Sequence, residues 1–298
     1  MEFDEAFLKE EVRSDFLVDR NRKKIWYVQL NMLREFDRIC RKYELKYWAG
    51  FGTLLGAVRH NGYIPWDDDL DVVMLRPDYE KFRSVVQSEL PEYYFYQDTY
   101  TDVIAFTFSK IRDSRTTAYE SKFTDQANQG IYIDIFPMDD YYEQEKPNIY
   151  EIERELYFAI MRPQILVEQL QNNVASILLP IDLLQDIVDA SPREQMEQYE
   201  LFLHKHSGES RHVGYLPDLF NMPRAWRSDR SIFDDMYYVP FENMQIPIPK
   251  DADQILKQIY GKEYMTPVQR MGAHEVEHFD PDMPYMKYIK QKETIYGV

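Results

Sequence analysis

The sequence lacks several features that would assign it to particular classes of protein. Its single cysteine, Cys40, cannot form an internal disulfide, so a disulfide-stabilised secreted domain is not expected. The longest apolar run, residues 174–188, contains a proline and acidic residues and is shorter than the roughly 20 residues that cross a bilayer. No secretory leader pattern is present at the start. We therefore expect a cytoplasmic protein without a transmembrane segment.

Basic residues are also scarce. The chain has 35 Lys and Arg against 52 Asp and Glu, which gives a formal net charge of -17 at pH 7. Such a field repels polyanions, so long DNA or RNA is not an expected partner. A small phosphate-bearing substrate is still compatible with the composition, because a bound metal ion can outweigh a distant negative surface. We expect any phosphate chemistry to need a metal.

The first half of the chain alternates helical and strand patterns. Apolar residues at helical spacing predict one long amphipathic helix over residues 22–43. A glycine turn then separates a short strand from a helical turn, and a further helix begins at Pro77. The strands are predicted at residues 45–49, 69–75, 103–111 and 131–136. Alternation in the last strand places Tyr132 and Asp134 on one face, and the order of elements predicts an α/β fold.

The composition changes near residue 145, where a polar stretch ends and helical patterns dominate. Helices are predicted over residues 149–170, 177–188 and 193–206, and later residues form a strand pair at 237–249. Asp251 is a fitting N-cap for a helix that ends at Gly261. We divide the chain into a catalytic core (1–145), a mostly helical region (146–235) and a C-terminal segment that packs back on the core (236–298).

An acidic cluster in residues 52–74 carries the strongest functional signal. Within a strand, Asp69 and Asp71 project from one face, and two adjacent carboxylates repel each other unless a cation lies between them. Hard divalent cations prefer such oxygen ligands. A third carboxylate, Asp134, lies in an apolar strand, where a buried charge needs a partner. The pattern predicts a metal site, although the run DDDLD alone is also typical of a solvated acidic turn.

Two other binding motifs fit this stretch less well. An EF-hand loop requires a glycine where Val72 stands, so a calcium loop of that type is excluded. A dinucleotide fingerprint fails because three residues rather than two separate Gly52 from Gly56.

The sharpest rival motif lies near the C-terminus. Residues 274–278 read HEVEH, which matches the zinc-protease pattern of two histidines one helical turn apart. Pro281 and Pro284 stop any helix soon afterwards, and few later residues could complete a zinc site. Zinc proteolysis through His274 and His278 is therefore the least favoured function. We expect His274 to bind substrate or to lie at the end of a surface helix.

Four segments together resemble the LicD family, the bacterial phosphocholine transferases related to fukutin-related protein, within the nucleotidyltransferase-fold superfamily. They are WAGFGTLLGAVRHNGYIPWDDDLDVVMLRPDYEKF, KIRDSRTT, GIYIDIFPMD and LKQIYGKEYMTP. The resemblance covers about residues 25–140 and returns at 255–278. It implies a nucleotidyltransferase-like mixed sheet flanked by helices, followed by a mostly helical region and a C-terminal strand pair plus helix. No motif is recognised between about residues 141 and 239.

The resemblance also implies roles for individual residues. Gly52 and Thr53 shape the turn that meets the donor phosphates. Asp67 is a further candidate metal ligand in this scheme. The proton of the attacking hydroxyl is accepted by either Asp67 or Asp134. Magnesium, or manganese, is held by Asp69, Asp71 and Asp134. The remaining implied substrate contacts are Arg59, Trp66, Lys110 and Arg112.

The implied reaction transfers phosphocholine, or a similar phospho-alcohol, from a CDP-linked donor such as CDP-choline to a sugar hydroxyl and releases CMP. The implied acceptor is a lipid-linked precursor of teichoic acid or lipopolysaccharide, so we expect transient association with the inner face of the membrane. Two alternatives remain: a nucleotidyltransferase acting on a small molecule or protein, and a noncatalytic binding member of the fold. The tyrosine-rich residues 93–96 predict either an aromatic cage for choline or, more simply, a core strand.

Overall fold

A computed structural model describes residues 3–102, 106–162, 167–168, 178–222, 224–269 and 276–296. Its helices are α1 (Arg20–Lys42), α2 (Phe51–His60), α3 (Arg76–Glu89), α4 (Pro147–Met161), α5 (Ile181–Asp189), α6 (Pro192–His206), α7 (Leu216–Asn221), α8 (Ala252–Tyr260) and α9 (Tyr285–Tyr296). Its strands are β1 (Glu11–Arg13), β2 (Phe16–Val18), β3 (Trp48–Ala49), β4 (Asp71–Leu75), β5 (Tyr94–Gln97), β6 (Ser109–Asp113), β7 (Thr117–Tyr119), β8 (Ile131–Asp140), β9 (His212–Gly214), β10 (Arg227–Asp229), β11 (Tyr237–Phe241), β12 (Met244–Ile248) and β13 (His278–Asp280).

A mixed sheet forms the centre of the fold. The strands lie in the order β10-β9-β8-β4-β3, and β6 pairs with both β8 and β5. The β4 and β8 strands are parallel, while β3, β6 and β9 run antiparallel to their neighbours. Helices pack against this sheet, with α1 and α3 both in contact with β8. The predicted α/β class, with a mixed sheet flanked by helices, is confirmed.

The long helix α1 begins and ends where the sequence predicts. The Asp19 carboxylate accepts a hydrogen bond from the Arg22 backbone N–H at 2.8 Å, which caps the first turn. Basic residues in the last turn, Arg41 and Lys42, favour the negative end of the helix dipole. Its apolar face is buried in the main core, as the helical periodicity requires.

Strand boundaries differ from the prediction at four places, one of which is the strand predicted over 131–136, which extends to Asp140 as β8. The strand expected over 69–75 starts at Asp71, and only Trp48–Ala49 of the expected 45–49 forms ladder pairs. The strand expected over 103–111 begins at Ser109, and residues 103–105 lie outside the described part of the chain. Just before β4, side chains of α1 bind the backbone carbonyls of Asp67 and Asp68, while the Leu70 carbonyl accepts the Asp134 N–H.

Buried apolar side chains form two clusters. The larger surrounds the central sheet and includes residues of β11, β12 and α8, among them Phe241, Ile246 and Leu256. The smaller lies among α4, α5, α6 and α7. The Ser191 capping box starts α6. The helices predicted over 177–188 and 193–206 are present, whereas α4 ends at Met161, and residues 163–166 and 169–177 are outside the described ranges.

The predicted strand pair over 237–249 is confirmed as the antiparallel hairpin of β11 and β12. Asp251 occupies the N-cap position of α8, and Gly261 ends this helix with a φ of 90°, a conformation that favours glycine. Within the described ranges, no helix combines the length and apolar character needed to cross a bilayer.

Candidate active site

The acidic segment, residues 67–71, is held in place through its backbone. Trp26 Nε1–H donates to the Asp67 carbonyl at 2.9 Å, and Gln29 Nε2 donates to the Asp68 carbonyl at 2.7 Å. Both donors are buried on α1. These hydrogen bonds to backbone carbonyl groups fix the path of the segment.

The N-terminal turn of α2 lies against the acidic segment. Thr53 Oγ1 accepts a hydrogen bond from the Asp71 backbone N–H at 2.8 Å, and the Gly50 N–H donates to the Asp71 carbonyl at 2.9 Å. A Cβ atom on Gly52 would lie 2.8 Å from Asp67 Oδ2, closer than real Cβ contacts allow. The glycine turn therefore lets the α2 backbone approach the Asp67 carboxylate.

The parallel register of β4 and β8 places Asp71 directly opposite Asp134. The Asp134 backbone N–H donates to the Leu70 carbonyl at 2.8 Å, and the Asp134 carboxylate accepts from Lys110 Nζ at 2.6 Å. The same ammonium lies 3.6 Å from the centroid of the Tyr132 ring, which agrees with the predicted shared face of Tyr132 and Asp134. The sequence predicts a metal ion as the partner of the buried Asp134 charge. In the structure, the Lys110 ammonium is a positively charged partner of this carboxylate.

Crowded carboxylates dominate the electrostatics of the site. Asp67, Asp68 and Asp69 each offer an oxygen atom within 4.8 Å of the others, the one such group of potential metal ligands among the described residues. Asp71 is 6% exposed, and burial, followed by the charges of Asp69, Asp134 and Asp67, raises its pKa well above the usual range. Asp71 and Asp134 thus lie beside the oxygen group without belonging to it.

This geometry corrects two details of the prediction. Asp69 precedes β4, so Asp69 and Asp71 do not share a strand face as expected. Asp68, which sequence reasoning did not select, contributes to the oxygen group. A donor set made only of carboxylate oxygens fits a hard divalent cation such as magnesium or manganese. A cation there would also relieve the repulsion that raises the pKa of Asp71.

Two side chains lie where α2 meets α8 and the residues that follow it, and one of them, Tyr260, is close to the acidic segment. Burial, followed by the charges of Asp71 and its acidic neighbours, raises the pKa of the Tyr260 hydroxyl. Arg59 donates to the Tyr264 carbonyl at 2.6 Å and to His60 Nε2 at 2.9 Å, and within the described chain it forms no ion pair with a carboxylate. Tyr260 was missed in the sequence, although it lies in the segment LKQIYGKEYMTP that the resemblance includes.

The other predicted substrate contacts occupy different environments. Arg112 has no exposed surface and donates to Glu120 at 3.0 Å, and Lys110 is 3% exposed and bound to Asp134. The pKa of Lys110 is lowered, because the effect of burial outweighs the opposing effect of the Asp134 charge. Trp66 is half-buried, with its ring 6.1 Å from that of Phe16. Internal partners therefore engage both cations, which favours a supporting role for them over direct contact with phosphate.

The zinc-protease pattern lies within the described residues only from residue 276 onwards. His274 lies outside the described residues. His278 begins β13, pairs with Tyr119 of β7, and stacks on Tyr288 with ring centroids 4.5 Å apart. Because His278 lies in an extended strand, it does not have the helical position that this two-histidine zinc motif requires.

The tyrosine-rich residues 93–96 form a strand, the simpler of the two predictions. Tyr94 and Tyr96 are buried in the core, and the Arg115 guanidinium lies 3.5 Å from the centroid of the Tyr93 ring. The Arg115 guanidinium thus covers a face of the exposed Tyr93 ring. A choline cage at this position is not supported.

Comparison with known proteins adds to this geometry. Residues 44–163 match the family model described as LicD/FKTN/FKRP, nucleotidyltransferase domain. The chain is 28% identical over 263 residues to the lipopolysaccharide cholinephosphotransferase LicD of Haemophilus influenzae, a match that covers 84% of this chain and 94% of the relative.

Two shorter matches fall on uncharacterised proteins. The chain is 42% identical over 55 residues to a protein of Rickettsia typhi and 47% identical over 47 residues to one of Rickettsia prowazekii, in each case 18% of the relative. The longer Haemophilus match extends well beyond the domain that contains the acidic segment, and it agrees with the family model. Residues 44–163 are therefore similar to the LicD/FKTN/FKRP nucleotidyltransferase domain, and most of the chain is similar to a lipopolysaccharide cholinephosphotransferase.

Proposed function

We propose that this protein is a phosphotransferase that moves phosphocholine from CDP-choline, or a similar phospho-alcohol from a related CDP-linked donor, to a hydroxyl of a lipid-linked glycan precursor and releases CMP. The observation that carries the proposal is the convergence of Asp71, Asp134 and the Asp67–Asp69 oxygen group beneath the glycine turn of α2. The full-length similarity to a lipopolysaccharide cholinephosphotransferase supports the same reaction class. The acceptor is a precursor of lipopolysaccharide or teichoic acid at the inner face of the membrane.

The oxygen group of Asp67, Asp68 and Asp69 is suited to hold magnesium, with Asp71 and Asp134 beside it. Bound magnesium supplies positive charge that offsets the negative charge of the donor diphosphate and of the leaving CMP. The protein orients these carboxylates in advance, because Thr53 fixes the backbone of Asp71. The pKa of Asp71 is raised in the absence of a cation, so cation binding and proton release are coupled.

Arg59 and Tyr260 are placed to contact the donor phosphates. The Arg59 guanidinium is partly buried and bonded to neutral groups, Tyr264 O and His60, so a phosphate oxygen would be its charged partner. The Tyr260 hydroxyl lies close enough to the acidic segment for the carboxylates to raise its pKa, and it remains a neutral hydrogen-bond donor there. Together they would position the phosphate without a covalent step.

The attacking hydroxyl needs a proton acceptor, and Asp67 fits this role better than Asp134. Asp67 is half-exposed, so an acceptor sugar can reach its carboxylate. Burial raises the pKa of Asp134 against the opposing charge of Lys110, but the carboxylate is only 8% exposed and is already hydrogen-bonded to the Lys110 ammonium, so it is less accessible to an acceptor. Transfer would therefore join the acceptor oxygen to phosphorus, break the bond from phosphorus to the CMP oxygen, and leave the proton on Asp67.

The decisive experiment is a donor screen. Purified protein is incubated with magnesium, a glycan acceptor and CDP-choline, CDP-ribitol or CDP-glycerol, and CMP is measured. We expect CMP release with one of these donors, loss of release on chelation, and recovery on adding magnesium. Omission of the acceptor is the control that separates transfer from hydrolysis.

Other results would identify the alternatives. Release of pyrophosphate from a nucleoside triphosphate, with a nucleoside monophosphate left on the acceptor, would show a nucleotidyltransferase. Magnesium-independent binding of a CDP-alcohol with no turnover across the acceptor panel would show a noncatalytic binding protein. Either result would overturn the proposed transferase reaction.

A further inference from the structure

A pocket lies between α2, α7 and α8, on the side of the acidic segment. Its volume is about 300 Å³, and its lining is largely apolar. The walls include the aromatic rings of Phe51 and Trp226, whose centroids are 5.8 Å apart at an angle of 85°. Met222 and Ile259 complete the apolar surface. A volume of this size is suited to a small organic group rather than to a whole nucleotide.

One carboxylate lines this apolar pocket. Asp218, in the first turn of α7, makes no side-chain hydrogen bond or ion pair with any other residue that the structure describes. Burial raises the pKa of Asp218 to about 6, so the group is mostly ionised at neutral pH. Arg224 is the single cation among the lining residues, and it is exposed and forms no ion pair with Asp218. The pocket therefore offers a negative charge that has no ion-pair partner among the described residues, in a lining that is otherwise apolar except for Arg224.

In each of the two helices α2 and α8, a residue that lines the pocket is followed by a residue that approaches the acidic segment. Phe51 lines the pocket, and the next residue, Gly52, lies against the Asp67 carboxylate. Ile259 lines the pocket, and the next residue, Tyr260, lies beside the acidic segment. The residues that line the pocket therefore adjoin, along α2 and α8, the residues that approach the acidic segment.

We propose that this pocket binds the quaternary ammonium head of the donor alcohol, with Asp218 as its counter-charge and Phe51 and Trp226 as its aromatic walls. A trimethylammonium group donates no conventional N–H hydrogen bond, so aromatic faces, apolar contacts and a nearby carboxylate are what recognise it. Neutral polyols such as ribitol and glycerol would leave the carboxylate uncompensated and their hydroxyls against apolar walls. This inference rests on the proposed function only in assigning the phosphate to the acidic segment.

The first test measures affinity. Calorimetry with magnesium compares CDP-choline and CDP-glycerol on the wild type, Asp218→Asn and the matched control Asp78→Asn. Asp78 is also in the first turn of a helix and also has its pKa raised by burial, but it lies beside Lys46. We expect Asp218→Asn to weaken CDP-choline binding about tenfold and leave CDP-glycerol binding unchanged, and Asp78→Asn to change neither.

A surface variant keeps the test valid if Asp218→Asn destabilises the fold. Met222 is 49% exposed, so Met222→Lys should fold normally while placing an ammonium group beside Asp218. Met286, 48% exposed on α9, gives the matched control Met286→Lys. We expect Met222→Lys, and not Met286→Lys, to abolish the preference for CDP-choline over CDP-glycerol.

The outcomes separate this inference from the proposed function. Selective CDP-choline binding that depends on Asp218, without CMP release, would sustain the pocket and overturn the transferase. CMP release from CDP-choline with unchanged affinity in Asp218→Asn and Met222→Lys would sustain the transferase and overturn the pocket. Equal affinity of the wild type for CDP-choline and CDP-glycerol would also overturn it.

Discussion

Strand β8 carries carboxylates near both of its ends, and the protein treats them differently. At the C-terminal end, Asp139 accepts two hydrogen bonds from Arg76, each 2.6 Å long. The neighbouring Asp140 binds Arg230 at 2.7 Å and accepts the Ser210 backbone N–H at 2.9 Å. Each acid in this part of the strand thus has its own guanidinium.

Nearer the start of the same strand, the balance is different. The Asp134 carboxylate accepts from Lys110, and Asp71 opposite it is surrounded by further carboxylates that raise its pKa. A buried acid matched to an arginine stabilises the fold, and its cost appears only when one partner is removed. Crowded acids instead destabilise the fold until a cation arrives. The comparison teaches that charge balance, more than burial, distinguishes the functional acids from the structural ones.

The largest expected effect comes from removing a crowded carboxylate. Asp71→Asn and Asp69→Asn should each lower CMP release by about 10²–10³-fold, because a cation at the site would lose a charged ligand. The melting temperature should stay the same or rise, since the substitution removes repulsion among neighbouring acids. Near-normal turnover in both variants would show that these residues do not form the reaction centre.

At Asp139, near the C-terminal end of β8, we expect a large loss of stability and little change in turnover. Asp139→Asn should lower the free energy of unfolding by about 3–5 kcal/mol, because Arg76 would keep its charge in a buried site without its partner. Urea unfolding measures this loss, and turnover per folded molecule should change little. If turnover fell as far as in Asp71→Asn, the distinction between the two ends would be wrong.

A smaller effect is expected at Glu153 of α4, which is 1% exposed and faces Asp139 and Asp140. Burial, then these two charges, raises the pKa of Glu153 from 4.5 to about 9. The folded state therefore holds a proton that the unfolded state releases, so stability should fall as pH rises between these values. Glu153→Gln should remove that slope and stabilise the protein by on the order of 2 kcal/mol at pH 8.

The matched control is Glu151→Gln, on the same helix but 44% exposed at its side chain. Unfolding measured at several pH values should give the control the wild-type slope. A wild-type slope in Glu153→Gln as well would mean that Glu153 is ionised in the folded protein.

The smallest effect is expected where α2 holds the acidic segment. Thr53→Val removes the acceptor of the Asp71 N–H and should lower turnover about tenfold through misplacement of the carboxylate, with a modest loss of stability. Thr53→Ser keeps the hydroxyl and should restore turnover. Equal losses in both variants would point to packing of the methyl group instead of the hydrogen bond.

Much of the fold was predictable because its signals are local. The periodicity of α1, the hairpin of β11 and β12, and the helix start at Asp251 all follow from spacing, turn residues and caps. The start of β4 was predicted two residues too early. Donors from α1 bind the carbonyls of Asp67 and Asp68 just before this strand, a contact between segments some 40 residues apart that local sequence patterns do not reveal.

The candidate site was predictable in part. The sequence pointed to Asp71 and Asp134, and the register of β4 and β8 places them opposite each other. It did not reveal that Lys110 neutralises Asp134, or that Tyr260 approaches the acidic segment from α8. Partners of this kind are chosen by the packing of distant elements, and neither residue type nor local spacing encodes them.

By itself, the sequence determined the kind of chemistry available: an excess of carboxylates, a glycine turn before them, and an apolar strand to carry them. The tertiary structure decided which carboxylates are matched by cations, as at Asp139, and which are crowded, as at Asp71. It also placed Asp218 in an apolar pocket whose lining residues Phe51 and Ile259 are followed in the chain by Gly52 and Tyr260, the residues that approach the acidic segment. Electrostatic energy depends on distance and solvent exposure, and both are set only when distant parts of the chain pack together.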